Sequence, residues 1–372
     1  MRLAGPGPDL LRPALEALVP YEPGKPAELV QRELGLERVV KLASNEGPFG
    51  PFPAALEAIE RSVSDGNRYP DSGAYVLREA LAARHGVAFD EVVVAAGADA
   101  VIGYVCQVTL DPGDEIVTPW PSFPSYVLDP LKLAATPVRV PLRDGRVDVD
   151  ALLAAVTPRT KLVYVPTVNN PTGTMITRDE LRRFLEAVPA HVLTVVDEAY
   201  IEYVDDPAFP DAIEDAKARG ARVLALRTFS KIYGLAAFRI GYGVGAAEVV
   251  AAIRKVQRAF DVTTPAQVAA LASLDGAVEI ARRRAVNRES MAELERVLRG
   301  RDFEPIEPAA ANFVFVDVGT DAASLDDALL RRGVIVRPMG SFGAPTALRI
   351  TAGTLDEIAF LDEQLASVLA PT

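Results

Sequence analysis

Short apolar runs alternate with amphipathic helical patterns between residues 91 and 226. The runs lie at 91–96, 115–117, 161–165, 192–196 and 222–226. Such runs are typical of strands that are covered on both faces. Helical patterns occupy 74–85, 100–110 and 177–188, the last opening on the capping box Thr177-Arg178-Asp179-Glu180. Strands that alternate with helices indicate βαβ units, so the pattern predicts an α/β domain whose mostly parallel sheet is flanked by helices.

The pattern changes on both sides of this region. Residues 1–40 form a Pro- and Gly-rich arm, and in its segment 20–26 three prolines and a glycine exclude regular structure. After a long helical pattern that begins at about Ala266, strands are predicted at 312–316, 334–336 and 347–351, followed by a helix capped by Thr354. We therefore expect an N-terminal arm over 1–40, a large domain over 41–265 and a smaller α+β C-terminal domain over 266–372.

Composition and charge exclude several classes of protein. The chain has 372 residues, 49% hydrophobic and 24% charged, which is enough for two domains with hydrophobic cores. A net charge of −12 without a run rich in Lys or Arg argues against nucleic-acid binding. No signal-peptide core or membrane-spanning stretch is present, so we expect a cytoplasmic protein. The single cysteine, Cys106, excludes an internal disulfide, and neither histidine has a second ligand at metal-binding spacing.

Polar residues follow three of the predicted strands. Asn170 comes after the third run, Asp197 directly after the fourth, and Lys231 just past the fifth. The carboxyl ends of parallel strands share the sheet edge at which α/β proteins bind ligands. Lys231 has apolar and aromatic neighbours that would desolvate its ammonium and favour a neutral, nucleophilic amine. Alone it would be interpreted as a solvated surface charge, but the two companion residues favour a Schiff-base lysine.

Other motifs leave two interpretations open. Gly97-Ala98-Asp99 precedes a helix, so its backbone N–H groups could hold a phosphate, or the segment could be a plain turn with Asp99 as N-cap. Phe123, in the predicted loop 119–123, could stack on a planar cofactor or fill the core. The glycine repeat at 241–245 lacks the third glycine of a dinucleotide fingerprint and is not assigned that role.

In combination the motifs resemble the fold type I pyridoxal-phosphate aminotransferases. The most specific are Asn170-Pro171-Thr172-Gly173, Asp197-Glu198-Ala199-Tyr200, and Thr228-x-Ser230-Lys231-x-x-Gly234-Leu235 followed by Arg239. Two further segments are similar to the narrower histidinol-phosphate aminotransferase group: Pro20-Tyr21-x-Pro23-Gly24-Lys25 and Asn67-Arg68-Tyr69-Pro70. The resemblance covers residues 20 to about 353.

The resemblance implies a homodimer that binds pyridoxal 5′-phosphate. Lys231 is expected to bind the cofactor covalently and to move a proton at the substrate α-carbon. Asp197 is expected to pair with the pyridine nitrogen, Asn170 and Tyr200 to bind the phenolic oxygen, and Phe123 to stack on the ring. The expected phosphate ligands are the backbone of Ala98 and Asp99, the side chains of Ser230 and Arg239, and Tyr69 reaching in from a second subunit.

The resemblance also implies a substrate-binding set. Arg349 is expected to bind the acidic group of each substrate, because a planar guanidinium suits both phosphate and carboxylate. Arg337 is either a second member of this anion clamp or part of a surface ion pair. Tyr21 is expected to close the site over the donor, and Asn45 is a further candidate substrate ligand.

The implied reaction transfers an amino group between L-histidinol phosphate and 2-oxoglutarate, the latter becoming glutamate, in histidine biosynthesis. An aromatic amino-acid aminotransferase and a threonine-phosphate decarboxylase are the alternatives within this family. They share the cofactor residues and differ in a few pocket contacts worth only ~1–3 kcal/mol each. A catalytically silent module of a regulator is disfavoured, because the chain holds the complete set Asn170, Asp197, Lys231, Arg239 and Arg349.

Overall fold

Strands and helices alternate along most of the chain. A computed structural model of the protein describes residues 11–18, 24–219 and 222–370. Its helices are α1 Ala27–Leu34, α2 Pro53–Val63, α3 Tyr75–His85, α4 Ala98–Thr109, α5 Ser125–Lys132, α6 Val149–Ala154, α7 Arg178–Ala187, α8 Ala212–Arg219, α9 Ala247–Val256, α10 Thr264–Ser273, α11 Ala277–Arg299, α12 Ala322–Leu330 and α13 Leu355–Leu369. Its strands are β1 Val40–Lys41, β2 Val92–Ala95, β3 Glu115–Trp120, β4 Thr136–Pro141, β5 Thr160–Pro166, β6 Leu193–Asp197, β7 Val223–Thr228, β8 Gly241–Gly245, β9 Glu304–Pro305, β10 Phe313–Asp317, β11 Val334–Ile335, β12 Arg337–Pro338 and β13 Ala347–Thr351.

Seven strands form the large sheet, in the order β2-β8-β7-β6-β5-β3-β4. β8 is antiparallel to both of its neighbours, and β7, β6, β5, β3 and β4 pair in parallel. Helices α4, α5 and α9 contribute to the apolar core on one face, and α2, α3, α7 and α10 to the core on the other. Burial on both faces explains the continuous apolar runs. The predicted mostly parallel sheet flanked by helices is confirmed.

The strand predicted at 115–117 is longer than the pattern indicates. β3 continues through Pro119 and Trp120, which the sequence places in a loop, and pairs along its whole length with β4. β4 itself is not predicted, because prolines and Arg139 interrupt its apolar positions. It lies at the edge of the sheet, where prolines and charged residues are tolerated.

The N-terminal caps of α7 and α13 are formed by the residues that the sequence predicts, whereas the cap of α4 is not. At the start of α7, the Thr177 hydroxyl accepts from the Glu180 N–H at 3.2 Å, and the Glu180 carboxylate accepts from the Thr177 N–H at 2.6 Å. This confirms the predicted capping box, and Thr354 caps α13 in the same way. The N-cap of α4 is Gly97, with φ 90°, so the alternative of Asp99 as N-cap is wrong. Ala98 and Asp99 instead occupy the first turn of α4.

The C-terminal part of the chain contains a four-stranded antiparallel sheet in the order β12-β13-β10-β9. β1 pairs in parallel with β11, and Val40 and Leu42 pack in the C-terminal core. α10 contributes Ala266, Ala269 and Ala270 to the core of the large sheet. These contacts cross the boundaries predicted at residues 41 and 266, and the division into domains stays a prediction. No helix in the described part of the chain is long and apolar enough to cross a membrane.

Candidate active site

The carboxyl ends of β5, β6 and β7 open into one cavity of about 370 Å³. Asn170 follows β5, Asp197 is the last residue of β6, and Lys231 follows β7. The parallel arrangement thus brings together three side chains that are far apart in sequence. Nine of the predicted site residues line this cavity: Ala98, Asp99, Phe123, Asn170, Asp197, Tyr200, Ser230, Lys231 and Arg239.

The Lys231 side chain is half-buried in this cavity. Its Nζ lies 3.4 Å from the Asn45 carbonyl oxygen and 5.5 Å from the centroid of the Tyr200 ring. Burial, together with the positive charge of Arg349, lowers the pKa of Lys231 to about 8, and the negative charge of Glu46 opposes the shift. Roughly one molecule in ten therefore has a neutral amine at pH 7 that is able to attack a carbonyl carbon.

Two hydrogen bonds fix the carboxylate of Asp197. Its Oδ1 accepts from the Ala199 N–H at 2.9 Å, and its Oδ2 accepts from the Tyr126 hydroxyl at 2.6 Å. Burial raises the pKa of Asp197, whereas the hydrogen bonds from Tyr126 and Ala199 act against that rise. The cavity thus holds an oriented acidic side chain together with the amine of Lys231.

Asn45 connects the loop before α2 to the cavity wall. Its backbone has φ 55°, in the left-handed region that asparagine tolerates better than most residues. Its Nδ2 donates to the Tyr200 hydroxyl at 3.0 Å, and its Oδ1 accepts from the Thr351 hydroxyl at 3.2 Å. Burial raises the pKa of Tyr200 to about 12, so this phenol keeps its proton at neutral pH.

Arg349 lies behind the cavity, on β13. Its Nη1 donates to Asn170 Oδ1 at 2.6 Å, and its Nη2 donates to the Ala43 carbonyl oxygen at 2.6 Å. The side chain is buried. The C-terminal sheet is thereby joined to the end of β5, and the guanidinium is fixed beside the predicted cofactor residues.

The end of the cavity next to the start of α4 contains groups that can bind a phosphate. The first turn of α4 places Ala98 and Asp99 there, and the first N–H groups of a helix have no partner within the helix. Ser230 accepts through Oγ from the Thr228 hydroxyl at 3.0 Å. Arg239 is exposed, and a Cβ at Gly97 would lie 2.9 Å from its Nη2. The glycine therefore allows the guanidinium to lie against the helix start.

Of the two aromatic residues in the segment 119–123, Phe123 lines the cavity. Its ring meets the Tyr126 ring edge-on, with centroids 5.7 Å apart and an interplanar angle of 74°. Trp120 stacks on Phe342, with centroids 6.2 Å apart. Phe123 also packs against the apolar core, so its role in stacking on a cofactor stays a prediction.

Several residues that line the cavity or bond to its walls were not assigned a role from the sequence. They include Ser44, Glu46, Tyr126, Thr228 and Thr351. For Tyr126 a signal exists, since it follows Phe123 by three residues and a helical turn would direct both side chains to one side. The prolines at 124 and 130 obscured α5 and with it this relationship.

Two further predicted residues, Tyr69 and Arg337, do not line the cavity. Tyr69 is 81% exposed and stacks on Phe260 with centroids 4.5 Å apart. Arg337 is half-buried on β12, directly opposite Arg349 in the antiparallel pairing. Its positive charge lowers the pKa of Asp326 against the larger effect of burial, which raises that pKa to about 6. Tyr21 lies outside the described residues.

In the ranges that the structure describes, no group of three or more His, Cys, Asp or Glu side chains is arranged to hold a metal ion. The chemistry available in the cavity is that of an amine, a carboxylate, a phenol, an amide and an anion-binding end. This combination suits covalent capture of a phosphorylated aldehyde.

Comparisons with known proteins agree with this geometry. Residues 37–363 match the family model for aminotransferase class I and II. The histidinol-phosphate aminotransferase of Moorella thermoacetica is 41% identical over 359 residues, which cover 96% of this chain and 93% of that protein.

Solved structures lead to the same family. Histidinol-phosphate aminotransferase from Sinorhizobium meliloti, in complex with pyridoxal-5′-phosphate, has a TM-score of 0.88 at 28% identity and covers 97% of this chain and 98% of that one. A single mutant of Thermus thermophilus aspartate aminotransferase has a TM-score of 0.85 at 26% identity, covering 96% and 99%. The expected fold type I architecture is confirmed, and with its sequence matched over most of its length this chain belongs to the class I and II aminotransferases.

Proposed function

We propose that the protein is a cytoplasmic pyridoxal-phosphate-dependent aminotransferase that transfers an amino group between L-histidinol phosphate and 2-oxoglutarate. The observation that carries the proposal is the cavity that the amine of Lys231 shares with the carboxylate of Asp197 and with the first turn of helix α4. The 41% identity to a histidinol-phosphate aminotransferase supports the choice of donor.

The residues of the cavity fit pyridoxal phosphate group by group. Lys231 suits the aldehyde, Asp197 the pyridine nitrogen, and Asn170 with Tyr200 the phenolic oxygen, while Phe123 suits a ring face. The helix start at 98–99, Ser230 and Arg239 suit the phosphate, and Gly97 leaves room for them to converge. When bound, the cofactor supplies an aromatic system that accepts electrons from the substrate α-carbon.

The chain's own groups divide the remaining work. Lys231 would hold the aldehyde carbon of the cofactor through its amine, and after release by the donor amine it would move a proton at the substrate α-carbon. Asp197 is oriented by the Tyr126 hydroxyl and the Ala199 N–H, and it would accept a hydrogen bond from the pyridine nitrogen. Asn45 holds the Tyr200 hydroxyl in place through its amide.

Arg349 is our candidate for the anionic group of both substrates. A planar guanidinium binds a phosphate or a carboxylate with two parallel hydrogen bonds, so one residue can serve the donor and then the acceptor. The pairing of β12 with β13 directs the side chains of Arg337 and Arg349 to the same face of the sheet, which supports Arg337 as the second member of the clamp. Tyr21 completes the site over the donor side chain in this proposal.

A second copy of the chain completes the phosphate site with Tyr69. In support, Tyr69 is 81% exposed, and the exposed apolar residues Tyr75, Val76 and Phe260 lie near it in the chain or in contact with it. Burial of these side chains against a partner would remove them from water.

Mixed dimers test the role of Tyr69. Y69A and K231A, each inactive alone, are refolded together. If Tyr69 acts across the interface, about a quarter of the sites regain both residues and activity returns. A mixture that stays inactive while forming dimers would place Tyr69 in its own subunit's site, and full activity of Y69A alone would place Tyr69 outside catalysis.

Cofactor binding is tested on the purified protein. We expect a yellow protein in which borohydride fixes the cofactor to Lys231, identified by peptide mass spectrometry, and a K231A variant that is not labelled. A colourless wild-type protein that takes up no pyridoxal phosphate would refute the enzyme assignment.

A donor screen tests the substrate. With 2-oxoglutarate as acceptor, we expect kcat/KM for histidinol phosphate to exceed those for phenylalanine, tyrosine and threonine phosphate. A preference for phenylalanine would support the aromatic alternative, and carbon dioxide release from threonine phosphate would support the decarboxylase.

A further inference from the structure

Tyr126 makes the shortest contact with the acid of the site. It is 1% exposed, lies in the first turn of α5, and donates from its hydroxyl to Asp197 Oδ2 at 2.6 Å. A hydrogen bond to an ionised carboxylate is shorter and stronger than one between neutral groups. The contact therefore influences both the direction and the ionisation of the Asp197 side chain.

The tyrosine is itself held in one position. Its ring stacks on Tyr164 with centroids 4.4 Å apart and an interplanar angle of 11°, and Phe123 meets it edge-on. The Tyr164 hydroxyl is in turn hydrogen-bonded to Cys106, 3.1 Å from its Sγ. A ring packed on two sides cannot swing its hydroxyl away from Asp197 without moving its neighbours.

The hydrogen bonds leave the carboxylate able to accept another. Each carboxylate oxygen has two lone pairs, and Oδ1 and Oδ2 each accept one hydrogen bond from a named protein donor, Ala199 and Tyr126. The two donors fix the carboxylate plane, and the side chain lines the cavity. A group on the cavity side can therefore meet a carboxylate whose rotation is already restricted.

We propose that Tyr126 is a positioning residue that directs the Asp197 carboxylate at the pyridine nitrogen of the cofactor. This inference rests on the proposed function, in which Asp197 pairs with that nitrogen. In this proposal the segment 123–126 has two roles. Phe123 would cover a face of the cofactor ring, and Tyr126 would orient the Asp197 carboxylate at the edge of that ring.

Tyr126→Phe tests the inference, with Tyr164→Phe as the matched control. Both variants remove one buried hydroxyl from the same pair of stacked rings, but only the first removes a bond to Asp197. For Y126F we expect the dissociation constant of pyridoxal phosphate to rise about 10-fold and kcat to fall roughly 10- to 100-fold, with KM for the donor unchanged. For Y164F we expect values within about twofold of wild type.

The absorption spectrum of the bound cofactor gives a second readout. Its pH dependence reports the protonation of the cofactor, which a purely structural substitution would leave unchanged. We expect Y126F to shift this dependence and Y164F to leave it in place. Tyr126→4-aminophenylalanine keeps a donor at the same position and should restore cofactor affinity, also where Y126F folds poorly.

A double-mutant cycle with Asp197→Asn decides whether Tyr126 acts through the acid. In the D197N background, Y126F is expected to weaken cofactor binding no further. An equal loss in both backgrounds, or Y126F behaving like Y164F, would overturn the inference while leaving the proposed function standing. Wild-type protein that binds no pyridoxal phosphate would overturn both.

Discussion

Lys231 is expected to be far more nucleophilic in the cofactor-free protein than an exposed lysine. Its surroundings lower its pKa from 10.5 to about 8. At pH 7 an amine with a pKa of about 8 is neutral in roughly one molecule in ten, against about one in three thousand for a pKa of 10.5. The reactive population is therefore larger by roughly 300-fold, without any change in the amine itself.

Competitive acetylation of the apoprotein measures this quantity. Trace acetic anhydride is applied between about pH 6 and pH 11, and the extent of labelling of the Lys231 peptide is read by mass spectrometry. Exposed Lys255 serves as the reference for reagent decay. Because only the neutral amine reacts, labelling of Lys231 should rise with pH and reach half its maximum near pH 8.

Two charge substitutions give the sign of the effect. Arg349→Gln removes a positive charge that disfavours the ammonium, so the midpoint should move to higher pH. Glu46→Gln removes a negative charge that favours the ammonium, so the midpoint should move to lower pH. A wild-type midpoint near 10.5 would show a solvated lysine and refute the reasoning. Shifts in the same direction for both variants would indicate a conformational change instead of a charge effect.

Three further predictions test other parts of the site. Gly97→Ala and Gly113→Ala both place a side chain at a φ near 90° and should each cost ~1 kcal/mol of stability. Only the alanine at position 97 would contact Arg239, so titration with pyridoxal phosphate should show weaker binding for Gly97→Ala alone. Equal affinities of the two variants would contradict the assignment of the phosphate site to this end of the cavity. Arg227→Met leaves the buried Glu198 carboxylate without its ion-pair partner and should lower the free energy of unfolding in urea by about 3–5 kcal/mol; a loss below about 1 kcal/mol would show that Glu198 is not left as an uncompensated buried charge. Asp197→Ala should abolish transamination nearly completely while the circular dichroism spectrum stays native, and wild-type-like turnover would refute its role at the pyridine nitrogen.

The part of the site that could be predicted from sequence is the part carried by buried parallel strands. Each of β5, β6 and β7 contains a short apolar run, and polar residues at or soon after the end of that run mark the sheet edge. Asn170, Asp197 and Lys231 stand at or just after those ends. The local sequence pattern therefore predicts both where each strand lies and which residues at its end face the ligand site.

Contacts between distant segments could not be predicted in this way. The bonds of Asn45 with Thr351 and of Arg349 with Asn170 join residues 306 and 179 positions apart. The hydrophobic pattern around one residue of each pair contains no information about the position of the other. The pairing of β1 with β11 is equally distant, and only the folded chain shows that residues 40–42 pack with the C-terminal core.

The glycines of β8 show why a motif needs the fold for its interpretation. Their spacing is similar to that of a dinucleotide fingerprint, but β8 is an antiparallel strand that lies between β2 and β7. A Cβ on Gly241 would lie 2.4 Å from the Ala98 backbone nitrogen, and one on Gly243 would crowd Val101 of α4 at 3.2 Å. Because Gly241 and Gly243 have no side chain, the start of α4 can pack closely against β8. Gly241 follows Arg239 by two positions in the chain. Close helix-to-strand packing is also one reason for glycine in dinucleotide-binding folds. Here the same physical requirement is met by a different strand, and it serves the end of the cavity that we assign to the phosphate.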